Sequence, residues 1–257
     1  MSDPSRFLTV DVSDPELELG GLRHATAFSR NLRRRGDCTF WAPPGDGPRP
    51  LVVLLHGVYG SHWAWAHKGG AHLAGADCVL AMPSDGLFGL GSGYVAHAGG
   101  DFAAWILDDV PALAAEVLPG RVDPDAPLAL VGLSMGGFGA LLLAGRHPDR
   151  VHAAAGLSSI TNFDQMATFV GDLSRYEGVA DDDRDVLAAL LAADPRPRLH
   201  LDCGRDDLLI EHNRALHDAL GAAGVEHEWA EHDGGHEWAY WRAHLPAALR
   251  FVLQSAP

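Results

Sequence analysis

The chain has 257 residues, 47% of them hydrophobic and 21% charged, and carries a formal net charge of −15 at neutral pH. This composition excludes a disordered chain, because a single domain of this length buries about three quarters of the surface that its unfolded form exposes. The acidity argues against nucleic acid as a partner, and the one basic cluster, Arg33-Arg34-Arg35, reads as a short solvated turn before a strand.

In chain order, "RHATAFSRNL" and "DCTFWAP" read as strands that extend a sheet antiparallel. The continuous apolar runs "LVVLLHG" (51–57) and "DCVLAMPS" (77–84) read as buried strands ended by glycine and proline. "FAAWILDDVPALAAEVL" (102–118) has helical periodicity interrupted by Pro111. A strand, "PLALVGLS" (127–134), runs into a helix, "MGGFGALLLAGRHP" (135–148), which proline ends. Strands "VHAAAGLSS" (151–159) and "RLHLDCG" (198–204), an amphipathic helix "LLIEHNRALHDALGAAG" (208–224), a last strand "VEHEWAEH" (225–232) and a closing helix "EWAYWRAHLPAALRFVLQ" (237–254) follow. Buried strands separated by helices imply an α/β fold, a mostly parallel central sheet with helices on both faces. The expectation is one domain over residues 1–257, with the polar stretch 160–197 as a small insertion or lid-like segment.

Cys38, Cys78 and Cys203 are isolated and odd in number, so no disulfide framework or CxxC metal spacing is present and a reducing compartment fits. The opening residues lack a charged start followed by an apolar run, and no stretch nears the roughly 20 apolar residues of a membrane helix. A cytoplasmic chain with no membrane partner is expected. The sequence leaves its oligomeric state open, a homo-oligomer included.

The chemistry centres on Gly132-Leu133-Ser134-Met135-Gly136, at a strand-to-helix junction. In a G-x-S-x-G elbow the serine stands proud of the sheet on a tight turn, and the flanking glycines leave room for that turn. The competing reading is a serine that merely caps the helix. A serine hydroxyl needs a base held by a carboxylate, and in this chain order the carboxylate and then the histidine follow later strands. "GRDDLL" offers Asp206 and Asp207 after one strand, and "DGGHEW" places His236 in a glycine-flanked loop after the last. Among 15 histidines, His232 is the nearest rival; the Gly234-Gly235 bend favours His236. The backbone N–H of Met135 and one from His56-Gly57-Val58-Tyr59-Gly60, naturally that of Val58, fit an oxyanion hole. No H-E-x-x-H spacing occurs, and neither a metal nor a cofactor is expected.

These segments, "LLHGVYGSHWAW", "GLSMGGFGAL", "LDCGRDDLL" and "GGHEWAYWRAHL", resemble the α/β-hydrolase superfamily, and within it the esterase family that includes esterase D-like and tributyrin esterase-like enzymes. The resemblance spans roughly residues 36–253. It implies an α/β-hydrolase fold, Ser134 as nucleophile and His236 as general base and acid. The family's "CG-x-x-D-x-L" pattern selects Asp207 over Asp206, and the oxyanion donors become Val58 and Met135. The expected activity is hydrolysis of short-chain acyl esters through an acyl-enzyme, the partner being a small-molecule ester of a sugar or aryl alcohol. A thioesterase or acyltransferase would use the same triad, and a non-catalytic hydrolase-like binding protein is the alternative of another class. Trp63, Trp65, Tyr94, Trp238, Tyr240 and Trp241 lie in segments that approach the site, of which Trp63, Tyr94 and Trp238 are the candidate substrate contacts. Core packing competes with that role for each of them.

Overall fold

A computed structural model describes residues 6–254. The strands are β1 (Phe7–Val12), β2 (Arg23–Ser29), β3 (Arg34–Trp41), β4 (Leu51–Leu55), β5 (Val79–Pro83), the short β6 (Ala96–His97) and β7 (Gly100–Asp101), β8 (Leu128–Leu133), β9 (Val151–Leu157), β10 (Arg198–Gly204) and β11 (Glu228–His232). The helices are α1 (Ala64–His67), α2 (Phe102–Ala104), α3 (Val110–Val117), α4 (Met135–Arg146), α5 (Ala167–Val170), α6 (Val186–Ala192), α7 (Ile210–Ala222) and α8 (Trp238–Leu253). Nine strands form one sheet in the order β1-β2-β3-β5-β4-β8-β9-β10-β11, and β6 pairs with β7 in a separate ribbon. From β5 through β11 the pairings are parallel. The N-terminal strands β1, β2 and β3 join antiparallel.

The continuous apolar strands are buried on both faces, as a covered parallel sheet requires. Along β4, Leu51, Val53 and Leu55 pack into one core layer, while Val52 and Leu54 pack into the other. The first layer receives α3, α4 and α6; the second receives α8, through Tyr240, Trp241, Leu245 and Leu249. Among the described residues no helix is long and apolar enough to cross a membrane. Cys38, Cys78 and Cys203 are buried and unpaired.

The structure departs from the sequence expectations in several places. The edge strand β1 was not expected, because exposure on both faces leaves "FLTVDV" no clean alternation to read. Arg34 and Arg35 are not in a solvated turn but open β3, where the Arg34 guanidinium donates to the Gly99 carbonyl. The helix over 102–118 contains a π-helical stretch at Trp105–Asp109, immediately before Pro111. Proline lacks the N–H that would bond the Leu107 carbonyl, and Arg150 supplies the missing donor at 2.8 Å. The 160–197 stretch also contributes to the core, where Phe163, Met166, Tyr176, Val186 and Leu190 are buried. Its α6 packs so closely on α4 that a Cβ on Gly145 would meet the Ala189 backbone at 2.7 Å.

One contact fixes where α4 begins. A Cβ on Gly136 would meet the Leu55 carbonyl oxygen at 2.1 Å, and one on Gly132 would meet the Gly136 carbonyl oxygen at 1.9 Å. Both obstacles are backbone, so neither can rotate away. Gly136→Ala is therefore expected to lower the unfolding free energy by about 3 kcal/mol or more, measured by urea unfolding followed by circular dichroism.

Candidate active site

Ser134 follows β8 directly, with φ 54° and ψ −118°, a conformation that a residue other than glycine holds only under constraint. Its N–H donates to Leu157 O at 2.9 Å, and its carbonyl accepts from Phe138 N–H at 3.0 Å. Asp207 lies in the turn after β10, and His236 in the loop between β11 and α8. These two loops are tied together by the Asp206 N–H, which donates to the Gly234 carbonyl at 3.0 Å. All of these positions lie at the carboxyl edge of the parallel strands.

The structure brings Ser134, His236 and Asp207 into one hydrogen-bonded chain. His236 Nδ1 lies 3.0 Å from each Asp207 carboxylate oxygen, and Nε2 lies 3.0 Å from Ser134 Oγ. A carboxylate only accepts, so Nδ1 carries the proton and Nε2 is left to accept from the serine hydroxyl. Asp206 is exposed, whereas Asp207 is buried. His232 ends β11 and does not touch Ser134; it stacks on His244 instead.

Burial pushes the Asp207 carboxyl up, but the hydrogen bond from His236, its charge, and the Leu209 N–H at 2.8 Å together bring it below the ordinary value. The ionised carboxylate therefore stabilises the fold above the unfolded value of about 3.9, and this contribution is lost as the pH falls through the folded value. The stability gap between wild type and Asp207→Asn is expected to shrink progressively as the pH falls below about 4, read from thermal unfolding midpoints across an acid pH series.

Next to Ser134 are amide groups with nothing to bond. Met135 is the first residue of α4, where a backbone N–H has no intrahelical acceptor. Among the described residues, the Val58 N–H also finds no acceptor. The loop carrying Val58 is held from below by a buried polar network. Tyr94 donates its hydroxyl to the His56 carbonyl at 2.9 Å, and the Tyr59 N–H donates to Gly89 O at 2.8 Å. His56 Nε2 accepts from the Asp85 N–H at 3.0 Å, so Nδ1 carries the proton and donates to Gly57 O at 2.7 Å. Asp85, wholly buried, accepts from the N–H groups of Leu87, Gly89, Gly91 and Ser92 at 2.9 to 3.1 Å.

Of the three candidate substrate contacts Trp63, Tyr94 and Trp238, Trp238 lines the cleft beside Ser134, a space of about 450 Å³, and Trp241 lines it too. Trp63 does not reach it: it precedes Ala64 and Lys68, which line the cleft, and packs outside against the tilted rings of His24 at 3.9 Å and His67 at 4.7 Å. Tyr94 is fully buried beneath the Val58 loop and supports that loop rather than facing the cleft. Sequence reasoning missed Lys68, Phe169 and Asp85. Phe169, from the 160–197 stretch, stacks on the His236 ring at 5.4 Å; Trp241 meets the same ring edge-on at 5.0 Å. The Lys68 ammonium stands 5.8 Å over the Trp238 ring. Asp85 carried no readable signal, because "SDG" after a strand reads as an ordinary turn. Among the described residues, the one group of side chains arranged to hold a metal, Asp202, His232 and His244, lies outside the cleft.

A parallel sheet with an elbow serine at its carboxyl edge, joined through histidine to a carboxylate on the following loops, defines an α/β-hydrolase. The chain belongs to the esterase family described as "Putative esterase", which matches residues 103–252. That stretch contains Ser134, Asp207 and His236 and stops short of the Val58 loop. An acetyl esterase of Caldicellulosiruptor saccharolyticus is 29% identical over 140 residues, 47% of this chain and 52% of the relative, so the match spans about half the length of that curated relative. A solved ferulic acid esterase superposes with a TM-score of 0.74 at 24% identity, over 96% of this chain and 98% of that one. A fluorophosphonate-binding serine hydrolase of Staphylococcus aureus superposes with a TM-score of 0.77 at 20% identity, over 91% and 98% of the chains. At these identities the likeness to the solved structures is one of fold.

Asp85 is expected to matter to stability as much as a large core residue. Asp85→Ala leaves four N–H donors, three of them buried, without an acceptor and should cost about 3 kcal/mol or more, seen as a lower denaturant midpoint with unchanged slope.

Proposed function

We propose that the protein is a serine carboxylic-ester hydrolase that cleaves short-chain acyl esters through an acyl-enzyme. The observation that carries this reading is the unbroken chain from Asp207 through His236 to Ser134 Oγ, with 3.0 Å links, opening on a cleft beside unbonded amides. Ser134 attacks the ester carbonyl while His236 Nε2 takes its proton. The tetrahedral oxyanion forms between the N–H groups of Val58 and Met135, donors worth roughly 10²–10³ in rate each. His236 then protonates the departing alcohol, and water hydrolyses the acyl-enzyme by the same steps. Asp207, already ionised, holds the tautomer and stabilises the imidazolium.

The walls of the cleft support the substrate class. Trp238, Trp241, Phe169 and Tyr59 offer aromatic faces, suited to stacking on a sugar or aryl alcohol portion. A space of about 450 Å³ holds a small acyl group and its alcohol, in keeping with the acetyl and ferulic esters that the names of the similar proteins mention. Burying Phe169 and Trp241 against the imidazole also keeps bulk water from the base.

Hydrolysis of nitrophenyl esters from acetyl to palmitoyl tests the reading. Wild type is expected to prefer the short chains, with kcat/KM at least about 10⁴-fold lower in Ser134→Ala and Asp207→Asn. Full activity in Ser134→Ala would overturn the assignment. Thioesters and an added alcohol acceptor in the same assay separate ester hydrolysis from thioesterase and acyltransferase chemistry, and inertness of the folded wild type toward all of them would favour a binding protein.

A further inference from the structure

Among the described residues, Asp202 is a carboxylate that keeps a buried oxygen without a hydrogen-bond partner. Its side chain is 1% exposed; Tyr240 donates to Oδ1, but Oδ2 has no hydrogen-bond partner. A buried carboxylate oxygen left alone costs several kcal/mol, so its surroundings should show what compensates it. They are imidazoles. His244 Nδ1 lies 3.6 Å from Oδ2 and His232 Nε2 lies 3.8 Å away. Both distances exceed a hydrogen bond, and the donor atoms of Asp202, His232 and His244 all lie within 4.8 Å of one another.

From this we infer that Asp202, His232 and His244 form a divalent transition-metal site, of the kind that takes Zn²⁺. Ligand atoms bound to one tetrahedral zinc at about 2.0–2.1 Å stand about 3.4 Å apart, so small ring rotations close the observed spacing around an ion. Two imidazoles and one carboxylate oxygen favour zinc over magnesium or calcium, which take oxygen ligands. The supporting groups are also in place. Tyr240 fixes the carboxylate through Oδ1 and leaves Oδ2 free to ligate, as outer partners do at metal sites. His200, on the same face of β10 as Asp202, is pinned by Nδ1 to Glu228 at 3.1 Å and leaves its Nε2 without a partner, 3.9 Å from the same oxygen. The His232 side chain is 47% exposed, which gives an ion its way in.

The placement suggests what the ion does. Its ligands come from β10, from the last residue of β11 and from α8, so coordination ties the elements on either side of the loop that carries His236 to the neighbouring strand. Tyr240 also packs on that loop: a Cβ on Gly234 would meet its ring at 2.7 Å. The ion is therefore a structural staple, separate from the ester chemistry. The isolated sequence gives no ligand spacing, and hence the expectation of no metal, because the three donors come from three different elements.

Tag-free protein stripped with a chelator and titrated with zinc chloride by calorimetry tests the site. Wild type should bind one equivalent, and zinc at about a hundred times its dissociation constant should raise the unfolding midpoint by about 5 °C. His232→Gln and His244→Gln should each weaken binding at least about tenfold and abolish the thermal shift. His232 is exposed, so His232→Gln keeps the test valid if substitution at His244 disturbs α8; circular dichroism checks the fold of both. Absence of zinc binding in wild type, or undiminished binding in both variants, would overturn the inference.

Discussion

The strained elbow at Ser134 depends on the absence of side chains at Gly132 and Gly136. Those two glycines let the first turn of α4 lie against the carboxyl end of β4 at a distance no Cβ permits. That closeness holds Ser134 at φ 54°, aims Oγ out of the sheet, and brings Met135 N–H near the loop that follows β4. The cost of the strain is met by core on both sides: α4 is buried along most of its length. The positions of Ser134 Oγ and of the Met135 N–H are thus consequences of one packing contact.

The Val58 N–H is positioned by a different kind of interaction. The Val58 loop cannot be held by apolar packing, because what must be fixed is the direction of a peptide group. A buried chain of polar contacts does this, from Asp85 through the 86–92 turn to Gly89 and Tyr59, and from His56 and Tyr94 to the loop backbone. Low polarity around these groups strengthens each bond and makes each missing partner expensive, which keeps the loop in one arrangement.

The same logic links the edge of the sheet to the site. His236 is reached by a short glycine loop between β11 and α8, packed by Phe169 on one side and Trp241 on the other. Trp241 in turn donates to Ser158 Oγ at 3.1 Å, and the Ser158 N–H donates to the Asp202 carbonyl at 2.7 Å. The residues around Asp202 and the His236 loop therefore share one short stretch of structure.

Local pattern carried a large part of this reading. Continuous apolar runs and helical periodicity marked most strands and helices, because burial on both sheet faces and amphipathic packing both write themselves into consecutive residues. Gly-x-Ser-x-Gly and the Gly-flanked His236 were legible for the same reason, since tight turns restrict the residues that form them. Asp207 over Asp206 needed the resemblance to a family, as adjacent aspartates in one turn look alike from spacing. Tertiary structure alone decided the rest: which aromatic faces the cleft, why Tyr94 is a support and Trp63 an outer surface group, why a lone Asp85 organises a loop, and that Asp202, His232 and His244 meet. Each of these depends on distances between elements far apart in the chain, and no local periodicity records them.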